Sequence, residues 1–306
     1  MFMKITRKIF FLFLCLLYCG CSNTSLVPKE SKKHFLWKVS DSDSYVWILG
    51  SIHMADSSFY PLDPVITNAF KESESLVLEI DLSDDSIKNE SVSLSMDLGV
   101  LPTGQLLQDI LPDTTFSQLD SLVRSWGLSI DLFNNFKPWM VAMQISAIAI
   151  ERTGFSSEWG IESFLMDQAV LLGKGIISLE SPATQINAIA NSDSLGVFYL
   201  EETLKEITQI KNLLFQIAIA WQEGNAPKLR SLLNPEDKTR NKNEKEMEAI
   251  LNKKIYTDRN KGMVNQIEQF LRNNKKYFIA VGVAHLIDDD NVIHSLEKNG
   301  FKVESY

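Results

Sequence analysis

Two of the four histidines stand at the same place in a short repeated pattern, an apolar run followed by Gly-x-x-His. The first copy, YVWILGSIH, ends at His53, and the second, YFIAVGVAH, ends at His285. Imidazole binds divalent metals and transfers protons near neutral pH, so this placement indicates chemistry. A glycine at the end of a strand allows a sharp turn or the close approach of a ligand, so Gly50 and Gly282 are expected to support the site.

Acidic residues stand at the ends of two further apolar runs. SLVLEID carries Glu79 and Asp81, and GIISLE ends at Glu180. A carboxylate inside an apolar run is costly unless it is paired or bound to a metal. Glu79 is therefore predicted to bind a metal, with a structural ion pair to an arginine as the alternative. Asp81 either supports the site or caps the next segment, and Glu180 either joins the site or starts a turn.

Together, His53, Glu79 and His285 form a ligand set that suits one divalent ion. Imidazole and carboxylate ligands are compatible with Zn, Mn, Co or Fe(II). The alternative for each histidine is a structural role, in which it only forms hydrogen bonds at the end of a strand. His34 and His294, which lie outside the repeated pattern, are expected to be structural or surface residues.

These side chains meet only if the strands that carry them are parallel neighbours, because the carboxyl ends of such strands open onto one crevice. Strand patterns are FLWKV, YVWIL, SLVLEI, GIISLE, YFIAVG and FKVESY, and DSDS predicts a hairpin between the first two. Residues from about 83 to 272 are mostly helical in pattern. We therefore predict a mixed α/β domain over 35–306, with a small central sheet, a strand-end crevice and a large helical insertion.

Two long amphipathic helices are predicted, at 199–222 and 245–273, and a charged, exposed loop is predicted at 234–246. The length of the helices leaves room for a homodimer interface or for a lid over the crevice.

The first residues resemble an export signal. A basic start and a short apolar run predict a signal peptide over 1–20, and the sequence YCGC predicts lipidation of Cys21. An ordinary cleaved signal is the alternative. Residues 21–34 are predicted to be a flexible tether. The expected product is a lipoprotein on the bacterial cell envelope, with its body outside the cytoplasm.

Composition excludes several classes of function. All three cysteines lie in the export segment, so the body has no thiolate ligand or cysteine nucleophile. Without the three basic residues of the first twenty, the net charge of −9 becomes −12, which argues against nucleic-acid binding. The sequence also lacks Gly-x-Ser-x-Gly, His-Glu-x-x-His and phosphate-binding glycine loops.

The body of the chain, from about residue 35 to 306, resembles the TraB/GumN (PrgY-type) family, whose relatives include the Tiki metalloproteases. The segments that carry the resemblance are WILGSIHM, LVLEID, LPTGQLLQDIL, FKPWMVAMQI, GIESFLMDQAVLLGK, ISLESPATQI, DRNKGMVNQI, FIAVGVAHL and LEKNGFKVESY.

The resemblance implies a mixed α/β fold, two Gly-x-x-His motifs at the active site and metal-dependent peptide hydrolysis, with Mn or Co favoured over Zn. It also moves Arg259 and Asn260, which the helical pattern alone leaves on the surface, into the pocket together with Glu180. Gly160 and Glu162 match a Gly-x-acid position that supports the site.

The leading hypothesis is a lipid-anchored hydrolase of peptide or protein amide bonds. In it, Glu180 is the general base unless it is itself a metal ligand, and Arg259 stabilises the developing oxyanion or orients a substrate carboxylate. One alternative is a non-catalytic protein that binds or sequesters a peptide signal. The other is a metal-free esterase, similar to erythromycin esterases, with His53 as its base.

Overall fold

The computed structural model describes residues 33–190, 192–235 and 238–306. The expected signal peptide, Cys21 and nearly all of the expected tether lie outside the described residues. None of the described helices is both long and apolar enough to cross a membrane.

One small sheet contains all the strands that the sequence predicts. The strands are β1 (Leu36–Ser40), β2 (Tyr45–Ser51), β3 (Ser75–Leu78), β4 (Gly175–Ser178), β5 (Tyr277–Gly282) and β6 (Lys302–Ser305). Their spatial order is β4-β3-β5-β2-β1-β6. β1 pairs antiparallel with β2 and β6, whereas β2, β5, β3 and β4 are parallel neighbours. The mixed α/β class, the hairpin and the parallel arrangement required for the crevice are confirmed.

Helices fill most of the chain between β3 and β5, as the expected insertion requires. Their bounds are α1 (Pro64–Glu72), α2 (Asp85–Gly99), α3 (Asp113–Ser125), α4 (Pro138–Glu151), α5 (Ile161–Leu172), α6 (Pro182–Ile189), α7 (Asp193–Ile207), α8 (Ile210–Gln222), α9 (Ala226–Leu233), α10 (Lys242–Asn252), α11 (Asp258–Leu271), α12 (Ala284–Ile287) and α13 (Val292–Lys298). Polar caps set several starts: Asp63 accepts from the N–H of Val65 at α1, and Ser181 from that of Thr184 at α6.

The central strands of the sheet are buried on both faces, which explains why they are apolar without alternation. On one face Ile48, Val77 and Ile279 pack against apolar residues of α11 and α13. On the other face Leu49 and Leu78 join the larger core that the helical insertion builds. The helices therefore hold the central strands, and the loops at their carboxyl ends, in fixed positions.

The prediction of one helix at 199–222 is wrong, because α7 ends at Ile207 and α8 begins at Ile210. Both of these residues are buried, and their spacing of three residues also fits an uninterrupted helix. The apolar periodicity therefore continues across the break and gives no sign of it.

The segment predicted at 245–273 is helical, but a π-helical turn at Lys253–Thr257 separates α10 from α11. The exposed loop predicted at 234–246 is wrong in part. Arg240 is buried, and α10 begins at Lys242. Arg240 pairs with the buried carboxylate of Glu202 on α7. A charged composition favours solvent exposure, whereas the charge of Arg240 is neutralised inside the fold.

Candidate functional site

The two Gly-x-x-His motifs leave the sheet at the same edge, and their registers differ by one residue. In the parallel pairing of β2 with β5, Gly50 lies opposite Val281 and Ser51 lies opposite Gly282. The N–H of Val283 then donates to the carbonyl of Ser51 at 2.9 Å, which holds the two exits together. Each histidine follows directly from this paired segment.

The side chains of His53, Glu79 and His285 surround a small space beside Gly282. A β-carbon placed on Gly282 would lie 3.2 Å from Oε1 of Glu79, 3.3 Å from Nε2 of His53 and 3.8 Å from Cδ2 of His285. The N–H of Gly282 also donates to Oε1 of Glu79 at 2.7 Å. The absence of a side chain at Gly282 keeps open the place on which the three predicted ligands converge.

Gly50 occupies the same position in its motif but serves packing. A β-carbon there would lie 2.8 Å from Cγ2 of Val283 and 3.1 Å from Cβ of Phe35. Its carbonyl oxygen accepts a hydrogen bond from Nε1 of Trp221 on α8 at 2.7 Å. The first glycine therefore permits a close contact between the sheet and the helical insertion, whereas the second borders the site.

Arg259 joins the two acids at the ends of β3 and β4. Its Nε donates to Oε1 of Glu180 at 2.9 Å, and its Nη2 donates to Oε2 of Glu79 at 2.5 Å and to Oε2 of Glu180 at 2.6 Å. Nε2 of Gln185 donates to both carboxylates at 3.3 Å. All three charged side chains are buried, so the guanidinium bridges two carboxylates away from water.

This arrangement separates the pKa values of the two acids. Burial would raise the pKa of Glu79, but the charge of Arg259, helped by the charge of His53 and the bond from Gly282, holds it well below its usual range. Burial raises the pKa of Glu180. The negative charge of Glu79 adds to this rise, and the hydrogen bond and charge of Arg259 oppose it without cancelling it. Glu79 is therefore the more acidic of the two groups, because the surrounding positive charge and the bond from Gly282 favour its ionised form more strongly.

His53 is oriented by Glu162 from the start of α5. Its Nδ1 lies 2.9 Å from Oε1 of Glu162, and the hydroxyl of Ser51 donates to the same oxygen. Burial alone would lower the pKa of His53, but the charge of Glu162, the hydrogen bond to it and the charge of Glu79 raise it to about 9. Gly160 permits this pairing, because its backbone contacts the backbone of His53.

His285 has a neutral partner instead. Its Nδ1 lies 2.6 Å from Oδ1 of Asn260, and its Nε2 lies 3.9 Å from Oε1 of Glu79. The ring of Tyr256 packs edge-on against it, with 5.4 Å between centroids. Burial and the charge of Arg259 outweigh the attraction of Glu79 and lower the pKa of His285 to about 3.

The cluster is accessible to solvent mainly at His53, whose side chain is 23% exposed. The side chains of His285 and Glu180 are 3% and 4% exposed. Glu180 faces Arg259 and Gln185 with both oxygens occupied, which does not favour the role of general base predicted for it. Oδ1 of Asp81 accepts from the N–H and hydroxyl of Ser83 in the turn before α2, whose N-cap is Asp84.

The donor chemistry fits a divalent ion in part. Among the described residues, no group of three or more His, Cys, Asp or Glu side chains is arranged to hold a metal. The donors themselves suit one, because Glu162 and Asn260 engage the Nδ1 atoms and leave Nε2 of His53 and of His285 on the side of Glu79. Such outer partners are usual behind histidine ligands.

Three residues around the site were not found by sequence reasoning. They are Ser51, Gln185 and Tyr256. A polar residue at a fully buried strand position was a usable signal for Ser51. Gln185 lies one helical turn beyond the start of α6, and the position of Tyr256 depends on the π-helical turn, so neither is marked by a local pattern.

Comparison with known proteins places the chain. The model described as the TraB/PrgY/gumN family matches residues 35–305. The chain belongs to this family. Similar proteins include YbaP of Escherichia coli strain K12, named as an uncharacterized protein, which is 25% identical over 63% of this chain and 71% of its own length.

Other similar proteins come from animals and are named metalloproteases. They include the metalloproteases TIKI1 of Danio rerio and of Homo sapiens, 22% and 24% identical over 93% of this chain. The matched region spans 65% and 64% of the lengths of these two proteins. No solved structure matches the chain.

Proposed function

We propose that this family member is a metal-dependent hydrolase that cleaves peptide or protein amide bonds. The observation that carries the proposal is the convergence of His53, Glu79 and His285 on the space beside Gly282. Similarity to proteins named metalloproteases supports the reaction class and a protein substrate.

His53, Glu79 and His285 would hold one divalent ion, with Mn or Co favoured and Zn or Fe(II) compatible with the same donors. When bound, such an ion polarises a scissile carbonyl and brings the pKa of water toward neutrality. Arg259 keeps Glu79 ionised, so that Glu79 could act as an anionic ligand. Glu180 holds Arg259 in place through their ion pair. Arg259 is therefore buried against the two acids and is not placed to stabilise an oxyanion.

Metal content of the purified full chain tests this proposal. Mass spectrometry should find about one equivalent of a divalent metal, which His53→Ala should lose. His294→Ala is the matched control, because His294 is exposed on α13 and should not affect binding. Hydrolysis of a peptide mixture should stop with EDTA and return with Mn²⁺ or Co²⁺. A chain that binds no metal even after incubation with divalent ions contradicts the proposal.

A metal-free esterase is a second candidate, favoured by the contact between His53 and Glu162. An imidazole held by a buried carboxylate at 2.9 Å is the pairing used by histidine general bases. Hydrolysis of a simple aryl ester that persists in EDTA and is lost in His53→Ala would support it. Loss of the same activity on chelation would reject it.

We also propose that the chain is exported and lipid-anchored through Cys21, on the basis of the N-terminal sequence alone. Mass spectrometry of the N-terminal peptide of the membrane-associated protein should find Cys21 acylated. Cys21→Ser should release the protein from the membrane fraction, whereas Cys19→Ser should not. An unmodified Cys21 in the mature chain contradicts the anchor.

A further inference from the structure

Asn260 contacts His285 on one side and the loop after α12 on the other. Its Oδ1 lies 2.6 Å from Nδ1 of His285, and its Nδ2 donates to the carbonyl oxygen of Asp290 at 2.9 Å. Asn260 is 4% exposed, so water does not compete for these bonds. The oxygen and the nitrogen of the amide are therefore both in contact with groups of the protein.

These two contacts determine which nitrogen of His285 carries a proton. A carbonyl oxygen only accepts, so the bond to Asp290 requires the amide nitrogen of Asn260 to face that loop. The amide oxygen must then face His285, and it also only accepts. Nδ1 of His285 therefore carries the hydrogen, and Nε2 of the neutral ring carries the lone pair.

We infer that Asn260 is a positioning residue that locks His285 in its Nδ1–H form and directs the Nε2 lone pair toward Glu79. That Nε2 lies 3.9 Å from Oε1 of Glu79. The position of the hydrogen on His285 does not depend on the proposed function. Only the use of the Nε2 lone pair as a metal ligand rests on it.

Arg259 and Asn260, which are adjacent on α11, contact residues that follow different strands. Arg259 binds the acids that follow β3 and β4, whereas Asn260 binds the histidine that follows β5. The π-helical turn directly before α11 supplies an acceptor for this arrangement, since Nη1 of Arg259 donates to the carbonyl of Ile255 at 3.3 Å. Such turns are frequent at functional sites.

The tautomer is measurable by ¹⁵N NMR of the full chain labelled at histidine. The chain has four histidines, and His285→Gln identifies the signals of His285 by their loss. In the metal-free wild type, His285 should show a protonated Nδ1 and an unprotonated Nε2. Asn260→Leu should lose this form, because its side chain offers no acceptor. Asn260→Asp should keep the hydrogen on Nδ1, because one carboxylate oxygen still accepts from it.

The matched control is Asn134→Leu. Asn134 also uses its amide, donating through Nδ2 to Oδ1 of Asp131, but it lies in the segment between α3 and α4, outside the loop that Asn260 contacts. Its loss should leave the His285 signals unchanged. A wild-type His285 protonated at Nε2 overturns the inference without any variant. An unchanged Nδ1–H form in Asn260→Leu also overturns it.

A second measurement separates this inference from the proposed function. Calorimetry with Zn²⁺ should give an affinity about 10- to 100-fold weaker in Asn260→Leu than in wild type, as for other lost partners of histidine ligands. If the wild type binds no metal but shows the expected tautomer, the metal-dependent function fails while the role of Asn260 stands. Equal Zn²⁺ affinity in wild type and Asn260→Leu would contradict the use of the lone pair as a ligand.

Discussion

Gly160 lies so close to His53 that a β-carbon on Gly160 would stand 2.3 Å from the carbonyl oxygen of His53. This contact brings the first turn of α5, and Glu162 with it, against the imidazole. The pairing of His53 with Glu162 therefore depends on a backbone approach that only glycine permits.

Gly160→Ala should displace α5 from His53 and lower the free energy of unfolding, because both neighbouring backbones would have to move. We expect a loss of about 1–3 kcal/mol, as for other overpacked sites, measured by urea denaturation. The control is Gly262→Ala on α11, where a β-carbon meets nothing within 4 Å. That change should stabilise the fold by about 0.5–1 kcal/mol, because it improves helix propensity. Equal effects of the two substitutions would refute the steric argument.

Gly282→Ala and Gly50→Ala should separate function from stability. At Gly282 the added carbon meets the tips of side chains at 3.2–3.8 Å and fills the space between the predicted ligands. We expect metal binding and hydrolysis to be lost while the unfolding midpoint changes little. At Gly50 the contacts are 2.8–3.1 Å with packed carbons, so we expect stability to fall by about 1–3 kcal/mol. Retained metal binding in Gly282→Ala would exclude this space as the metal site.

Removal of the Arg259 guanidinium should be among the most damaging substitutions in the chain. Arg259→Met leaves Glu79 and Glu180 buried without their cation, which we expect to cost about 3–5 kcal/mol of unfolding free energy. Arg259→Lys should not restore stability, because a single ammonium cannot bridge two carboxylates in the same way.

The control for Arg259 is the exposed pair of Arg124 with Asp120 on α3. Arg124→Met should leave the unfolding midpoint unchanged, because an exposed pair is screened by solvent. Urea denaturation of both variants checks the comparison. A mild effect of Arg259→Met would mean that the two acids find other partners or are neutral in the fold.

The sequence predicts the strands and the convergence of His53, Glu79 and His285, because strand patterns are local and parallel strands share a carboxyl edge. Its helical pattern does not predict the burial of Arg259 and Asn260, which only the family resemblance places in the pocket. On a helix of mixed composition the inward face depends on register, and the π-helical turn before α11 changes that register without a local signal. The closeness of Gly160 to His53 is equally invisible, because it depends on packing between distant segments.

Trp221 should couple the helical insertion to the first motif, because its Nε1 donates to the carbonyl of Gly50 at 2.7 Å. Trp221→Phe keeps most of the ring volume but leaves that buried carbonyl without this donor. We expect a loss of about 1–3 kcal/mol in unfolding free energy, measured by urea denaturation followed by circular dichroism. Trp126→Phe is the control, since Trp126 is half-buried at the end of α3 and its ring lies beside Arg152. If both substitutions have the same small effect, the bond from α8 does not hold the end of β2 in place.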